Sequence, residues 1–580
     1  MEPDGRVLVP VGPEAWRWRT FGSTRTLVVA ARTVTSLVRV LDVLPAVVHD
    51  DPRVATVFAY DPSSAFNDGV LALLRSLGCR MLPWAQLEDI KPDLLLTASE
   101  NIGVPTGDYP VLVLPHGVGF QKFVPDSAGP GTRLSGLVAD ELLTTRRAWL
   151  TLSHPEQERQ LAAARPNTVG RTVLVGDPCF DRLRASVRWR DRYRAALGVP
   201  DGLRLVLVSS TWGAGSLIAN RPDLPTELLS QLPADEFRVA LVLHPNVWAA
   251  HGAWQIRSMQ QAATEAGLLV VDPTNGWQQA LVAADLVIGD HGSVTLYGAA
   301  VDRPLLLGAF GTESVPRTAG YGLRAAARWL DAGPLRAQVD AAVTEHRPGR
   351  FAQITARAFA DPGEAQPRIR RLVYDLLGLP VPDGPVRGTH AYPAPPTTGA
   401  PVTAMSVRTV VGQATDRVEV EIRRYPARLA VEGAEQEHLF WHLACDVDEP
   451  DPRLSESASV LLRAGAAVPE ETGLARIAGL LADFPGAQLA ALAVADGCLL
   501  GLRDGSVLLA TAPCGPPPDP GLAAAGVYAC LRLGRRAVSS VHLRVGEREQ
   551  ELRLRQVLPP SEPSARRARS TSARGLPPAS

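Results

Sequence analysis

From residue 26 to about 375 the chain alternates short apolar runs with longer segments of helix-forming composition. The first series of runs is TLVVAA (26–31), VATVFAY (54–60), DLLLTA (93–98), VLVLPHG (111–117), AWLTL (148–152) and TVLVGDP (172–178). A second series follows: RLVLVSST (204–211), FRVALVLHP (237–245), LLVVDP (268–273), DLVIGDH (285–291) and PLLLG (304–308). Apolar runs of this length without alternation suit strands buried on both faces of a parallel sheet. Segments between them, such as AWQIRSMQQAATEAG, suit the crossover helices. Two successive series predict an α/β protein with a pair of doubly wound Rossmann-type domains, 1–180 and 181–375, and a cleft between them.

The pattern then changes. Residues 376–403 are rich in Pro, Gly and Thr and read as a linker. Beyond it, VRTVVGQATDRVEVEIRRYP, QLAALAVADGCLLGLRDGSVLLATA and VSSVHLRVGEREQELRLRQV carry DG and GE turn signals between β-prone runs, as hairpins do. These, with a helix near 472–484, predict a separate, smaller α+β domain over 404–557. The tail, 558–580, is locally basic and is expected to be disordered.

Composition narrows the functional classes. Against 59 basic residues stand 60 acidic ones, a formal charge of -1, so no global field favours nucleic acid. The start of the chain lacks the basic and apolar regions of a signal peptide, and no apolar run reaches membrane-spanning length. Six scattered cysteines without a C-x-x-C suit a reducing cytoplasm better than a disulfide or zinc scaffold. Lys91 and Lys122 are the only lysines, and neither follows a glycine, which argues against a Walker-type phosphate loop. No metal and no cofactor are expected.

In doubly wound sheets ligands lie beyond the carboxyl ends of the strands. His116 follows VLVL, Thr211 follows VLVSS, His244 follows VALVL, and Asp290 to Ser293 follow LVI. An exposed imidazole at a strand end is suited to take a proton near neutrality, although a histidine there also serves as a plain loop residue. Lys122, six residues past His116, offers a compact ammonium in a chain that otherwise uses arginine. In GDHGSVT, Gly292 lets backbone approach a ligand, and Ser293 and Thr295 present hydroxyls and N–H groups in a first helical turn, a seat for phosphate. The competing explanation is that Ser293 only caps its helix.

In chain order, PHG with Lys122, the strand-end Ser153, GDPCFDRL, SSTW, LHPN and GDHGSV resemble the motifs of the CDP-glycerol glycerophosphotransferase family, which builds teichoic-acid-type polymers on a GT-B fold. The resemblance spans about residues 100–310. It implies an N-terminal acceptor side and a C-terminal nucleotide-donor side. His116 would be the general base toward the acceptor hydroxyl and His244 a second catalytic residue that stabilises the donor pyrophosphate. Lys122, Thr211, Asp290, Gly292, Ser293 and Thr295 would hold the donor phosphates. The partners implied are a nucleotide-diphosphate donor and a polymer or lipid-linked hydroxyl acceptor, in the cytoplasm or peripherally at the inner face of the membrane.

The chain departs from the family pattern in several places. Pro115 replaces a tryptophan, Cys179 and Gly213 stand where arginines are usual, Gly292 replaces a serine, and Tyr297 stands where an acidic residue is usual. Two other readings therefore stand beside the transferase: an enzyme like the UDP-sugar 2-epimerases, and a catalytically degenerate GT-B protein that binds a nucleotide or a partner, with 404–557 as its interaction module.

Overall fold

The computed structural model describes residues 15–18, 20–48, 51–125, 131–383, 389–396, 399, 401–413, 418–429, 439–535 and 538–557. The tail expected to be disordered lies outside them. The chain divides into two compact units: residues up to 402 together with 428–432, and residues 403–427 together with 433 onward.

The first unit contains two parallel sheets. Strands β1 (Arg25–Ala31), β2 (Val54–Tyr60), β3 (Met81–Pro83), β4 (Leu94–Thr97) and β5 (Val111–Val113) build the first sheet. A small antiparallel hairpin, β6 (Phe123–Pro125) and β7 (Thr132–Leu134), interrupts them before β8 (Ala148–Leu152) and β9 (Thr172–Leu174) complete it in the order β3-β2-β1-β4-β5-β8-β9. The second sheet uses β10 (Arg204–Ser210), β11 (Phe237–Leu243), β12 (Leu269–Val270), β13 (Leu286–Gly289), β14 (Leu305–Leu307) and β15 (Arg328–Trp329), in the order β12-β11-β10-β13-β14-β15.

Packing explains why the runs do not alternate. Leu27, Val29 and Ala31 of β1 enter one apolar core, and the intervening Val28 and Ala30 enter another on the opposite face. Leu205 and Leu207 of β10 are divided from Val206 and Val208 in the same way. A strand covered by helices on both faces has few positions for a polar side chain until it ends. Strand order reverses beside β1 and beside β10, and the loops that follow these strands and their neighbours border the crevices that result.

The sheets of this unit are tied together by, among other contacts, a helix and a pair of backbone hydrogen bonds. The helix Ala365–Leu377 places Ile369, Val373 and Leu377 in the core of the first sheet although it follows the second in sequence. Just before β6, Gln121 O accepts from Val315 N–H at 2.9 Å, and Phe123 N–H donates to Glu313 O at 2.7 Å. The stretch expected to be a linker packs into the core of the second sheet. Tyr392 is 6% exposed, its N–H donates to Ser186 Oγ at 3.0 Å, and its carbonyl accepts from the Tyr193 hydroxyl at 2.6 Å.

The second unit corrects the α+β expectation: it is a closed nine-stranded barrel. Its strands are β16 (Ala404–Gln413), β17 (Val418–Pro426), β18 (Leu439–Asp446), β19 (Val460–Val468), β20 (Leu489–Val494), β21 (Gly497–Leu502), β22 (Val507–Thr511), β23 (Ser540–Val545) and β24 (Arg548–Val557). The hairpins β16-β17, β20-β21-β22 and β23-β24 fall where the turn signals predict them. Closure comes from pairings with long sequence separation, such as parallel β17-β23 and antiparallel β16-β18. The Ala- and Gly-rich helix Pro520–Arg532 shares a core with inward residues of β16, β17, β20, β21 and β23, and Ala523 to Cys530 are all buried. Among the described residues no helix is long and apolar enough to cross a membrane.

Candidate functional site

The strand ends of the first unit converge. His116 and Lys122 from beyond β5, Thr211 from beyond β10, His244 from beyond β11, and Gly292 and Ser293 from beyond β13 all line one cavity. The two histidines thus share a site although 128 positions separate them, 244 minus 116. Asp290 and Thr295 are buried, at 2% and 1% exposure, and are not among the residues that line it.

On the side of the first sheet, Oε2 of Glu100 lies 3.5 Å from Nδ1 of His116. Burial alone would raise the Glu100 pKa, but the hydrogen bond and charge of His116, with help from Arg133, hold it well below the usual carboxylate range. A carboxylate on Nδ1 fixes the tautomer and orientation of the ring and leaves Nε2 for a substrate. The loop that carries His116 is held from behind. Buried Arg39, on the helix Val34–Val48, donates from Nε to Pro115 O at 3.0 Å and from Nη2 to Asp177 Oδ2 at 3.1 Å.

The side of the second sheet supplies hydrogen-bond donors. Nδ1 of His244 accepts from Asn246 N–H at 3.1 Å and caps the helix Pro245–His251, so the ring proton resides on Nε2. Burial, then the charge of Lys122 and of His116, keeps the His244 pKa well below the ordinary histidine value. The imidazole is therefore a neutral donor in the absence of a ligand. Lys122 crosses from the first side: its Nζ is 3.5 Å from Thr211 Oγ1 and 4.7 Å from the centroid of the Trp212 ring. Burial depresses the ammonium pKa, and the charges of Asp290, Glu313 and Glu100 oppose that shift.

The GDHGS loop is organised by Asp290 from beneath. Oδ2 of Asp290 accepts from Thr211 N–H and Leu217 N–H, both at 2.9 Å, and Oδ1 accepts from Gly292 N–H at 2.9 Å. The carboxylate ties together the loops after β10 and β13 and is directed away from any ligand in the cavity. Ser293 does not cap its helix: Gly292 occupies the cap position, without a side-chain cap bond, and Ser293 Oγ accepts from Val118 N–H at 3.2 Å. The contact joins the PHG loop to the first turn of the helix Ser293–Ala300. It requires glycine at 117, because a Cβ there would fall 2.6 Å from Ser293 Oγ. Thr295 packs its side chain against Gly289 in the same way.

Several residues of the site carry no motif of their own. Glu100 lies in an ordinary strand-end sequence, SEN, and its pairing with a histidine 16 positions later depends on β4 lying beside β5. Tyr297, which stands in the place of an acidic residue, donates from its hydroxyl to Asp177 Oδ2 at 2.8 Å and completes a buried Arg39–Asp177–Tyr297 cluster. Cys179 is buried beside this cluster, where the Tyr392 hydroxyl reaches its Sγ at 3.5 Å. His291 also lines the cavity; its Nδ1 accepts from Gly311 N–H at 3.0 Å, and its Nε2 is 2.8 Å from Glu313 Oε1. A strand-end histidine inside GDHGS was the available signal for it. Among the described residues no group of three or more His, Cys, Asp or Glu is placed to hold a metal ion.

No known protein family matches the sequence, and no curated protein matches it. Solved structures do. The wall teichoic acid polymerase TagF is 12% identical over 61% of this chain and 90% of its own, with a TM-score of 0.45. A complex of MnaA with UDP from S. aureus is 12% identical over 65% of this chain and 100% of its own, with a TM-score of 0.40. UDP-GlcNAc 2-epimerase from Neisseria meningitidis bound to UDP-GlcNAc is 13% identical over 61% of this chain and 100% of its own, with a TM-score of 0.39.

Proposed function

We propose that the chain is a GT-B transferase that moves a glycerol-phosphate-type or sugar group from a nucleotide-diphosphate donor to a hydroxyl acceptor. One observation carries the reading: a carboxylate-oriented histidine from one sheet faces a set of anion-binding groups from the other across a single cavity. Nε2 of His116 takes the proton of the acceptor hydroxyl, with Glu100 holding the ring and stabilising the imidazolium that forms. The acceptor oxygen attacks the phosphorus or anomeric carbon of the transferred group. The bond from that atom to the nucleotide phosphate oxygen breaks, and the nucleotide leaves with the electron pair.

Such a transfer depends on positioning and charge neutralisation. Lys122, the Nε2–H of His244, the hydroxyls of Thr211 and Ser293, and the uncapped N–H groups at the start of Ser293–Ala300 supply both. Gly292 permits close approach of the donor phosphates, while Asp290 and Thr295 hold the shape of the loop rather than touch the donor. The cations that the family pattern places at 179 and 213 are absent, but Lys122 and His244 remain, which supports turnover over a purely binding role.

Calorimetric titration with CDP-glycerol, CDP-ribitol, UDP-sugars and CMP tests the reading. At least one nucleotide should bind, and binding by none removes it. With the binding donor, His244→Ala should weaken affinity. His116→Ala should lower turnover by about 100-fold or more, the usual scale of general-base catalysis, with donor affinity nearly unchanged.

A further inference from the structure

Lys122 has a second environment. Besides the cavity of His116 and His244, it lines an adjoining hollow of about 620 Å3, so the two spaces meet at its side chain. Phe123 of β6 forms one wall of this hollow, and the loops 212–215 and 308–313 form the others. Three aromatic residues line it: Phe123, which is 39% exposed, Trp212 and Phe310. Two of these are braced by neighbours, Trp212 by Phe66 at 5.7 Å and Phe310 edge-on by Tyr321 at 6.0 Å. Thr132, Thr312 and Asn220 line it as well, the Asn220 amide nitrogen donating to Ala214 O and Ser216 O and leaving its Oδ1.

The charge inventory discriminates among ligands. Among the described residues that line the hollow, Lys122 is the one cation and Glu313 the one anion. Glu313 stands 2.8 Å from His291, and its charge acts on Lys122, so the pair is locally compensated. A polyol-phosphate chain brings one negative charge per unit and needs a cation or a cluster of N–H donors for each. Among the described side chains of this hollow, Lys122 alone is a cation. Aromatic side chains with a few amide- and hydroxyl-bearing residues in the same lining match a ligand that is neutral, ring-shaped and rich in hydroxyls.

We infer that the hollow bounded by Phe123, Trp212 and Phe310 seats a neutral saccharide, whose terminal hydroxyl enters the cavity past Lys122 as the acceptor. The inference deepens the transferase reading and depends on it only for the word acceptor. It narrows the hydroxyl acceptor to a glycan.

The test titrates the full chain, without nucleotide, with chitotriose, maltotriose and mannotriose, and with a three-unit oligo(glycerol phosphate). At least one neutral trisaccharide should bind, and Phe123→Ala, a change at an exposed side chain, should weaken it by about tenfold, the scale of one lost aromatic contact. The same variant should bind the nucleotide donor as the unaltered chain does. The inference is overturned if no trisaccharide binds, if Phe123→Ala leaves trisaccharide binding unchanged, or if the oligo(glycerol phosphate) binds in a Phe123-dependent way. Saccharide binding with no nucleotide binding would remove the transferase reading and leave the saccharide seat; the converse would do the reverse.

Discussion

Histidines line the cavity of the first unit and one is buried in the barrel, under opposite conditions. In the first unit each imidazole of the cavity has a partner on one ring nitrogen: His116 has Glu100, His244 has Asn246 N–H, and His291 has Gly311 N–H. In the barrel, His442 of β18 is 6% exposed, neither ring nitrogen has a hydrogen-bond partner, and its ring lies 4.4 Å from that of Tyr528. A polar group prepared for chemistry is oriented by its neighbours, whereas one that only fills space is left with its desolvation cost. The contrast separates the candidate site from a core built around a helix.

Breaking the support behind the cavity should have the largest effect. Arg39→Ala removes the cation from a buried Arg39–Asp177–Tyr297 cluster and leaves the Asp177 carboxylate uncompensated. A loss of about 3–5 kcal/mol is expected by chemical denaturation of the first unit. A loss below about 1 kcal/mol, the range of an exposed pair, would show that the cluster does not hold the loop.

The next effect belongs to the barrel and depends on pH. Burial lowers the pKa of His442 to about 4. The unfolded chain therefore binds a proton at higher pH than the folded one does. Stability is full above the unfolded value, near 6.5, and falls as pH drops toward 4, by about 3 kcal/mol in all. His442→Phe should flatten that slope in denaturation curves measured between pH 7 and 4. An unchanged slope would assign it to other groups.

Two glycines then compare close approach in the two units. Gly117→Ala drives a methyl group against Ser293 Oγ and parts the PHG loop from the helix Ser293–Ala300. Gly501→Ala drives one against Ile477 of the helix Glu470–Asp483, which packs on the barrel. Each should cost about 1–3 kcal/mol, the range for overpacking. Only Gly117→Ala should be relieved by Ser293→Gly, a double-variant cycle that reads the contact between the loops directly. The smallest effect is expected for Tyr297→Phe, which removes one hydrogen bond to Asp177 and should cost about 1–2 kcal/mol. No measurable change would mean that Tyr297 is held by packing alone.

Long apolar runs made the two parallel sheets legible, because strands covered on both faces are mostly apolar along their length. The strands β3 and β15 were not legible: Met81–Pro83 and Arg328–Trp329 are too short to carry a pattern. In the barrel the local hairpins and the helix Glu470–Asp483 followed from turn signals and periodicity. The strands β18 and β19, the closure of the barrel and the buried course of Pro520–Arg532 depend on pairings among distant segments, and nothing local announces them. Tyr392 shows what the composition of 376–403 did not announce. A Pro-rich sequence looks like a tether, yet an aromatic residue in it finds a buried place.

The sequence by itself determined which polar groups sit at strand ends, since a buried parallel strand delivers its polar residues mostly where it leaves the sheet. It thereby placed His116, Thr211 and His244 at strand ends, and all three line one cavity. Tertiary structure alone decided which of these meet, that Asp290 turns inward to three backbone N–H groups, and that Glu100 and Arg39 stand behind His116. Those pairings are set by sheet order and helix packing. They join residues whose local sequences carry no trace of one another.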